Sequence, residues 1–308
     1  MSDLSSRVAG GIDLDAYLTR QRAGVEEALE RAVARLEPRL PPEVAAAARH
    51  GVTSGGKRLR PVLCVAAYDA CGGTVRPATY DLGAAIEMIH AYSLMHDDLP
   101  CMDDAELRRG RTTTHVAHGE DATVRAGIAL IPAAALTALR ACEALGCARA
   151  SGLRAARTLM EAAGAGGMVG GQWLDLLGEG QDWGAASLDA LHGCKTGALL
   201  AASLVIGAIA AGASSEAERA VGAYGRAIGL AFQITDDVLD ATQSAETLGK
   251  NPSDAALAKS TYVALYGLDE ARRRAGAQVD AALAALGRGG LDAPPRAALA
   301  RYVVERRK

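Results

Sequence analysis

Phenylalanine occurs once in these 308 residues, tryptophan twice, and aromatic residues together make up only 4% of the chain. A β-sheet is thereby starved of the residues it prefers, and with alanine abundant the expected fold class is all-α. Charge of one sign is lacking too. A formal net charge of −3 provides no basic field that would argue for nucleic acid or an anionic membrane surface. The six cysteines (Cys64, Cys71, Cys101, Cys142, Cys147, Cys194) show no C-x-x-C spacing, and no stretch resembles a secretory signal. Reduced thiols in a cytoplasmic protein are expected. The longest uncharged run, Gly197 to Ala213, reaches only the lower limit for a membrane span and is full of Gly, Ala and Ser. It reads as a helix buried among other helices, without stable membrane insertion. No long linker, fixed-period repeat or low-complexity tail divides the chain, so residues 1–308 are read as one helical domain.

What the sequence does have is concentrated carboxylate. The stretch Tyr92-Ser93-Leu94-Met95-His96-Asp97-Asp98-Leu99-Pro100-Cys101-Met102-Asp103-Asp104 is followed at once by Arg108-Arg109-Gly110-Arg111. Adjacent carboxylates repel one another, so an apolar helix ending in such a cluster calls for a compensating cation. Hard oxygen ligands suit Mg²⁺, which commonly also takes substrate phosphates, and the arginines are suited to grip those phosphates. Asp97 and Asp103 are six apart, and an unbroken helix would turn them about 120° away from each other. The helix is therefore expected to distort, with Pro100 as the cause. A second cluster, Phe232-Gln233-Ile234-Thr235-Asp236-Asp237-Val238-Leu239-Asp240, places Asp236, Asp237 and Asp240 on one helical face. Two such clusters facing each other across one cavity would suit several Mg²⁺ ions holding one diphosphate.

Helix signals organise the rest. Asp13 reads as the N-cap of a helix over Leu14 to Leu36, Pro41-Pro42 as the start of another, and Pro77 as the start of the one that ends in the first aspartate cluster. Between them, Thr53-Ser54-Gly55-Gly56-Lys57-Arg58-Leu59-Arg60-Pro61 puts three cations in a glycine-containing turn before an apolar helix (Val62 to Ala70), where backbone amides and full charges favour an anion. Pro132 is expected to kink the helix from Asp121 to Ala144. Lys195, inside apolar sequence, costs energy unless it meets an anion; Gln172 reads as a bridge between two helices. Lys250 and Lys259 follow the second cluster.

Taken together, Gly55 to Pro61, His90 with Tyr92 to Asp103, Arg108-Arg109-Gly110, Gly171-Gln172, Lys195-Thr196-Gly197, Phe232-Gln233 with the Asp236 triad, and Leu248-Gly249-Lys250 up to Lys259-Ser260-Thr261 resemble the trans-prenyl diphosphate synthases. The resemblance runs in the correct order from roughly Ala47 to Ala271 and is closest to the short-chain bacterial farnesyl and geranylgeranyl diphosphate synthases. It implies one large helical bundle with a deep central cavity, usually a homodimer, that joins isopentenyl diphosphate to an allylic diphosphate (dimethylallyl or geranyl). It also implies roles. Asp97, Asp98, Asp103, Asp236, Asp237 and Asp240 would bind Mg²⁺ and the allylic diphosphate. Arg108, Lys195 and Lys259 would help draw that diphosphate away, while Lys57, Arg60, His90 and Arg109 would hold isopentenyl diphosphate. Lys250 would join the substrate-binding set, and Phe232, Thr196 and Gln233 would ease the positive charge. Tyr92, five residues and about 7.5 Å before Asp97, with Ser93 beside it, would set the floor under the growing chain. An aromatic there goes with C15 products, so farnesyl diphosphate is the expected main product and geranylgeranyl diphosphate the alternative.

The chain departs from the family pattern at Ile128, where an aspartate is usual, at Thr112, where a proline is usual, and at Ser253, where a glycine is expected. Rival readings share only part of the pattern. A terpene cyclase has no use for the second diphosphate site that Lys57, Arg60 and Arg109 suggest. A phosphohydrolase built on His96-Asp97 would need further metal-binding histidines in a chain with six in all. A silent partner subunit is discouraged by both triads being intact.

Overall fold

The computed structural model of the chain describes residues 8–9, 12–178, 180–181, 183–242, 260–291 and 294–305. Asp13 caps the first helix, α1 (Leu14–Leu36), by accepting the Ala16 N–H at 3.0 Å. Leu14, Leu18, Val25, Leu29 and Val33 recur along its buried face at helical spacing. After α2 (Pro42–Thr53), helix α3 (Leu59–Ala70) begins three residues before the expected Val62. Pro61 is tolerated because it lies in the first turn, where its missing N–H has no intrahelical partner to lose. α4 (Pro77–Asp97) follows.

Here the expectation of a distorted helix gives way to a helix that ends. Leu99 precedes Pro100 and is biased away from helical backbone, so α4 stops at Asp97 and the chain curls back over its own terminus. The Asp103 N–H donates to the Asp97 carbonyl (2.9 Å), that of Asp104 to Leu99 (3.1 Å) and that of Ala105 to Asp98 (3.2 Å). This wrap, not helical periodicity, returns Asp103 to the neighbourhood of Asp97.

The all-helical expectation is interrupted only by two minimal hairpins among the described residues, Val8–Ala9 with Ile12–Asp13 and Leu107–Arg108 with Arg111–Thr112. The second turns through Arg109 (φ 54°) and Gly110 (φ 72°), and positive φ at both central residues matches the right-handed strand twist. There follow α5 (Thr114–His118), α6 (Glu120–Ala144), α7 (Arg149–Ala163), α8 (Met168–Leu177) and α9 (Ala185–His192). α6 runs on past Pro132, which lies on its exposed side, so the carbonyl that loses its helical donor faces water. A five-residue π-helical turn, Gly193–Gly197, leads into α10 (Ala198–Ala210), and α11 (Ser215–Thr242), α12 (Tyr262–Tyr266), α13 (Leu268–Arg288) and α14 (Pro294–Glu305) complete the chain.

α10 is buried at every position but Ala198 and Val205. Leu199, Ala202, Ile206 and Ile209 join the core shared with α1, α2, α4, α6 and α7, and Leu200, Leu204 and Ala208 join the one shared with α3, α11, α13 and α14. Its glycine at 207 admits α3, because a Cβ there would lie 2.3 Å from the Cys64 carbonyl oxygen. Two helical stretches, Glu120–Ala144 and Ala185–Ala210, are long and apolar enough to cross a membrane, but 72% of the apolar window of the second is buried inside the fold. Cys64, Cys101, Cys142, Cys147 and Cys194 form no disulfide.

Candidate active site

Three adjacent cations open α3, and the structure separates them. Arg58, in left-handed backbone (φ 50°) and only 3% exposed, turns inward. Its Nε donates to Glu26 (2.8 Å), Nη1 to Glu87 (3.0 Å), and Nη2 to the Val52 carbonyl (3.0 Å) and Glu26 (3.2 Å). Arg22 Nε donates to the Lys57 carbonyl at 3.1 Å. The turn is thus tied to α1, α2 and α4, and Lys57 and Arg60 project from a fixed backbone. Arg60 Nε is sealed from solvent with no hydrogen-bond partner. Burial lowers its affinity for the proton, an effect opposed by Glu87 and Asp236 and reinforced by Arg109. Arg109, offered by the turn of the 107–112 hairpin, donates to the Gly55 carbonyl at 2.6 Å. Gly56 makes that approach feasible, since a Cβ there would lie 2.2 Å from Arg109 Nη1. His90 sits amid these groups. Its pKa is held well below the ordinary histidine value, first by burial and then by Arg60, Arg109, Arg108 and Arg58. A neutral imidazole ringed by guanidinium groups, one with an orphaned N–H, is a site prepared for an anion.

The acidic side is built on the end of α4. Burial pushes the Asp97 carboxyl up to about 6; Lys195 and Arg108 pull it down, Asp103 and Asp98 push it up. Asp98 is buried and accepts from Arg108 Nε at 2.7 Å. Arg108, expected to reach for the leaving diphosphate, is thus held by its own neighbour. Lys195, whose charge reaches Asp97 alongside that of Arg108, donates its Nζ to Asp175 at 2.6 Å. Asp175, on α8, was not among the residues expected from the sequence, although it lies three residues after Gln172 on the same helix.

Lys195 and Thr196 lie in the π-helical turn, a local departure often found at functional sites. Two glycines hold it from either side. A Cβ on Gly171 of α8 would lie 2.1 Å from the Lys195 backbone nitrogen, and one on Gly229 of α11 would lie 2.7 Å from Gly197 Cα. Gln172 does not bridge helices as expected, because neither its Oε1 nor its Nε2 has a partner and both are sealed from solvent.

On α11 the three aspartates do not act alike. Asp236 and Asp240 are partly exposed, whereas Asp237 is buried and accepts the Tyr262 N–H at 2.7 Å. Tyr262 in turn donates its hydroxyl to Asp189 and stacks on His192. In both clusters, then, the second aspartate is turned to a protein partner, while the first faces the opposed charges: Asp97 faces Lys195, and Asp236 lies close enough to Arg60 for its charge to offset that residue's burial. Phe232 and Gln233 stand one turn before the cluster; Gln233 Nε2 lies 3.3 Å from His192 Nδ1. Lys250 and Lys259 lie outside the described residues.

No group of three His, Cys, Asp or Glu converges among the described residues to hold a metal ion by itself. The donors fit Mg²⁺ in another way, since that ion typically takes one or two carboxylates and completes its shell with water and phosphate oxygens. A cavity of about 50 Å³ beside the second cluster is lined by Asp175, His192, Asp237, Ser260 and Thr261 among others. A larger cleft, about 350 Å³ and lined by Glu218, Arg219 and Arg226, lies ten or more residues back along α11, about 15 Å from Asp236, and takes no part in this site.

Tyr92 is 6% exposed and meets the His96 ring edge-on at 5.8 Å. Burial and the Asp97 charge push its hydroxyl up to about 12. Ser93 Oγ donates to the His90 carbonyl. α6 closes on this segment through Gly127, where a Cβ would lie 2.1 Å from His96 Nε2. Ile128, a departure from the usual pattern, is 58% exposed, so it alters an open helix face and not a packed wall.

Residues 41–288 match the family model described as polyprenyl synthetase. The chain is 44% identical over 270 residues to a chloroplastic geranylfarnesyl diphosphate synthase of Leucosceptrum canum, covering 85% of this chain and 72% of that one. It is 41% identical over 266 residues to a chloroplastic geranylgeranyl pyrophosphate synthase of Catharanthus roseus, covering 86% and 73%. Among solved structures, an FPP/GFPP synthase of Zymomonas mobilis without ligand superposes with a TM-score of 0.74 at 34% identity, covering 93% of this chain and 99% of that one. An all-α bundle, two aspartate clusters and these likenesses converge on one assignment: the chain belongs to the polyprenyl synthetase family.

Proposed function

We propose that this protein is a short-chain trans-prenyl diphosphate synthase that adds isopentenyl diphosphate to dimethylallyl and geranyl diphosphates, with farnesyl diphosphate as its main product. The observation that carries this reading is the pairing of an anion-ready cationic pocket around His90 with two aspartate clusters whose leading members, Asp97 and Asp236, face cations. One pocket suits a bare diphosphate, and the other suits a diphosphate held through divalent ions.

Lys57, Arg60 and Arg109, with neutral His90 among them, hold isopentenyl diphosphate without adding a proton to it. Mg²⁺, held by Asp97, Asp103, Asp236 and Asp240 with Asp98 and Asp237 behind them, supplies charge neutralisation to the allylic diphosphate when bound. Lys195 and Arg108 add fixed positive charge on the leaving side. The allylic C–O bond breaks with its electron pair going to diphosphate, and the isopentenyl double bond gives its pair to the new C–C bond. A proton then leaves to the departed diphosphate. Phe232 and the dipoles of Thr196 and Gln233 face the transient positive charge. Incubation with isopentenyl and dimethylallyl diphosphates plus Mg²⁺, followed by sizing of the dephosphorylated products, tests the reading; no condensation would end it.

Product length rests on Tyr92, whose buried ring meets that of His96 one turn further along α4. Tyr92→Ala is expected to lengthen the main product by at least one C5 unit, since a rigid wall resists overpacking by about 1–3 kcal/mol. An unchanged profile would remove Tyr92 from the floor. The second reading, a geranylgeranyl diphosphate synthase, is favoured by the name of the Catharanthus relative, and a wild type making mainly C20 product would decide for it.

We further propose a cytoplasmic homodimer formed through α6 and α7, whose outward faces leave Ile128, Leu136 and Leu153 exposed. Light scattering on Leu136→Glu is expected to show the mass of one chain, against two for the wild type.

A further inference from the structure

His192 is more than nine-tenths buried, yet its Nε2 has no partner, and nothing in the proposed reaction uses it. Its other ring nitrogen meets the Gln233 amide nitrogen at 3.3 Å. The geometry points to His192 as a positioning residue that fixes which end of the Gln233 amide faces the reacting carbon. This inference rests on the prenyl-transfer reading and adds to it a residue outside the motifs.

A neutral imidazole carries one N–H and one lone pair, and its surroundings decide which nitrogen has which. His192 lines a cavity together with Asp175 and Asp237, and of the charges that reach its ring the Asp175 and Asp189 carboxylates favour protonation while Lys195 opposes it. The Gln233 amide nitrogen, a donor, meets Nδ1 at 3.3 Å, and that leaves the ring N–H on Nε2. With the proton on Nε2, Nδ1 is an acceptor, and only the NH₂ end of Gln233 can meet it. The Gln233 carbonyl must then point the other way. Its Oε1 has no described partner and is not among the sealed, unsatisfied atoms, so it opens onto accessible space. Gln233 stands one turn before Asp236 on the same helical face, so that space is the side on which the diphosphate would lie. A carbonyl oxygen there stabilises positive charge; a flipped amide would present N–H groups and oppose it.

Four variants and one spectrum test this. His192→Leu removes the acceptor, His192→Asn keeps an oxygen where Nδ1 stood, and Gln233→Leu removes the amide. His192→Leu is expected to lower kcat about 10–100-fold with the KM for isopentenyl diphosphate nearly unchanged, and His192→Asn to recover most of the loss. In the Gln233→Leu background, His192→Leu is expected to cost nothing more. Additive losses, or Asn no better than Leu, would overturn the proposal. In ¹⁵N spectra of the protein without substrate, with His192 assigned by its absence from the Asn variant, the ring is expected as the Nε2–H tautomer. A proton on Nδ1 would overturn the amide orientation even if every variant folds poorly. A wild type with no condensation activity would refute the prenyl-transfer reading and with it the catalytic half of this proposal, while the spectrum still decides the tautomer.

Discussion

Asp97→Asn is expected to lower kcat by about 10²–10³-fold and, in the metal-free protein, to raise stability. The two effects have one cause. The Asp97 carboxyl sits at about 6 in the fold against 3.8 for the unconstrained group, because burial penalises its charge more than Lys195 and Arg108 relieve it. A folded-state pKa above the unfolded value means that the fold binds the proton more tightly. Its contribution to stability is therefore fully present below about pH 4 and lost as pH rises through 6. At neutral pH the buried charge costs on the order of 3 kcal/mol. Asparagine keeps the shape and removes the charge, so the stability gain should be near zero at pH 4 and reach its full size above pH 6.5. Urea denaturation in the presence of a chelator, at those two pH values, measures it. Asp236→Asn should lose activity on the same scale. Near-normal turnover in either variant with metal chelated would break the case for paired aspartate clusters, and a loss of stability in Asp97→Asn would show that Asp97 is structural.

That conflict between stability and function is why some features were readable in the sequence and others were not. Helix α1 was legible to the residue, because Asp13 and the spacing of Leu14, Leu18, Val25 and Leu29 are local signals. The aspartate clusters and Lys195 were legible because charges set in apolar sequence violate a local rule. The division of labour within each cluster was not. Lys57, Arg58 and Arg60 are alike as residues, and the choice of Arg58 as the inward one is made by Glu26 on α1 and Glu87 on α4, far away in the chain. Asp98 and Asp237 differ from Asp97 and Asp236 only through Arg108 and the Tyr262 backbone. The π-helical turn depends on Gly171 and Gly229, glycines of two other helices that look like ordinary breakers until the backbones are seen to touch. His192 carries no sequence signal beyond its nearness to Lys195.

Arg58→Met is expected to cost about 3–5 kcal/mol of stability, because it leaves the Glu87 carboxylate buried without its partner. Glu87 is 3% exposed and accepts from Arg58 Nη1 at 3.0 Å. Glu26, the other acceptor, is half-exposed and loses less. Arg60 and Arg109 both feel the Glu87 charge, so partial compensation places the expected value near the lower end of that range. Glu87→Leu alone should cost less, since Arg58 keeps Glu26 and the Val52 carbonyl. The double variant Arg58→Met/Glu87→Leu should recover most of the stability, as apolar replacement of a whole buried pair commonly does, and urea midpoints of the four proteins close the cycle. Function should not follow stability. In the double variant the 54–58 turn has lost the Arg58 ties to Glu26, Val52 and Glu87 and keeps the Arg22 donor from α1, and Arg60 and Arg109 have lost the carboxylate that offsets their mutual repulsion. The KM for isopentenyl diphosphate should therefore stay raised while the fold is restored. A double variant as unstable as Arg58→Met would show that the stranded carboxylate is not the cause. One restored in both stability and KM would show that the turn needs no anchor from Arg58 to hold Lys57 and Arg60 in place.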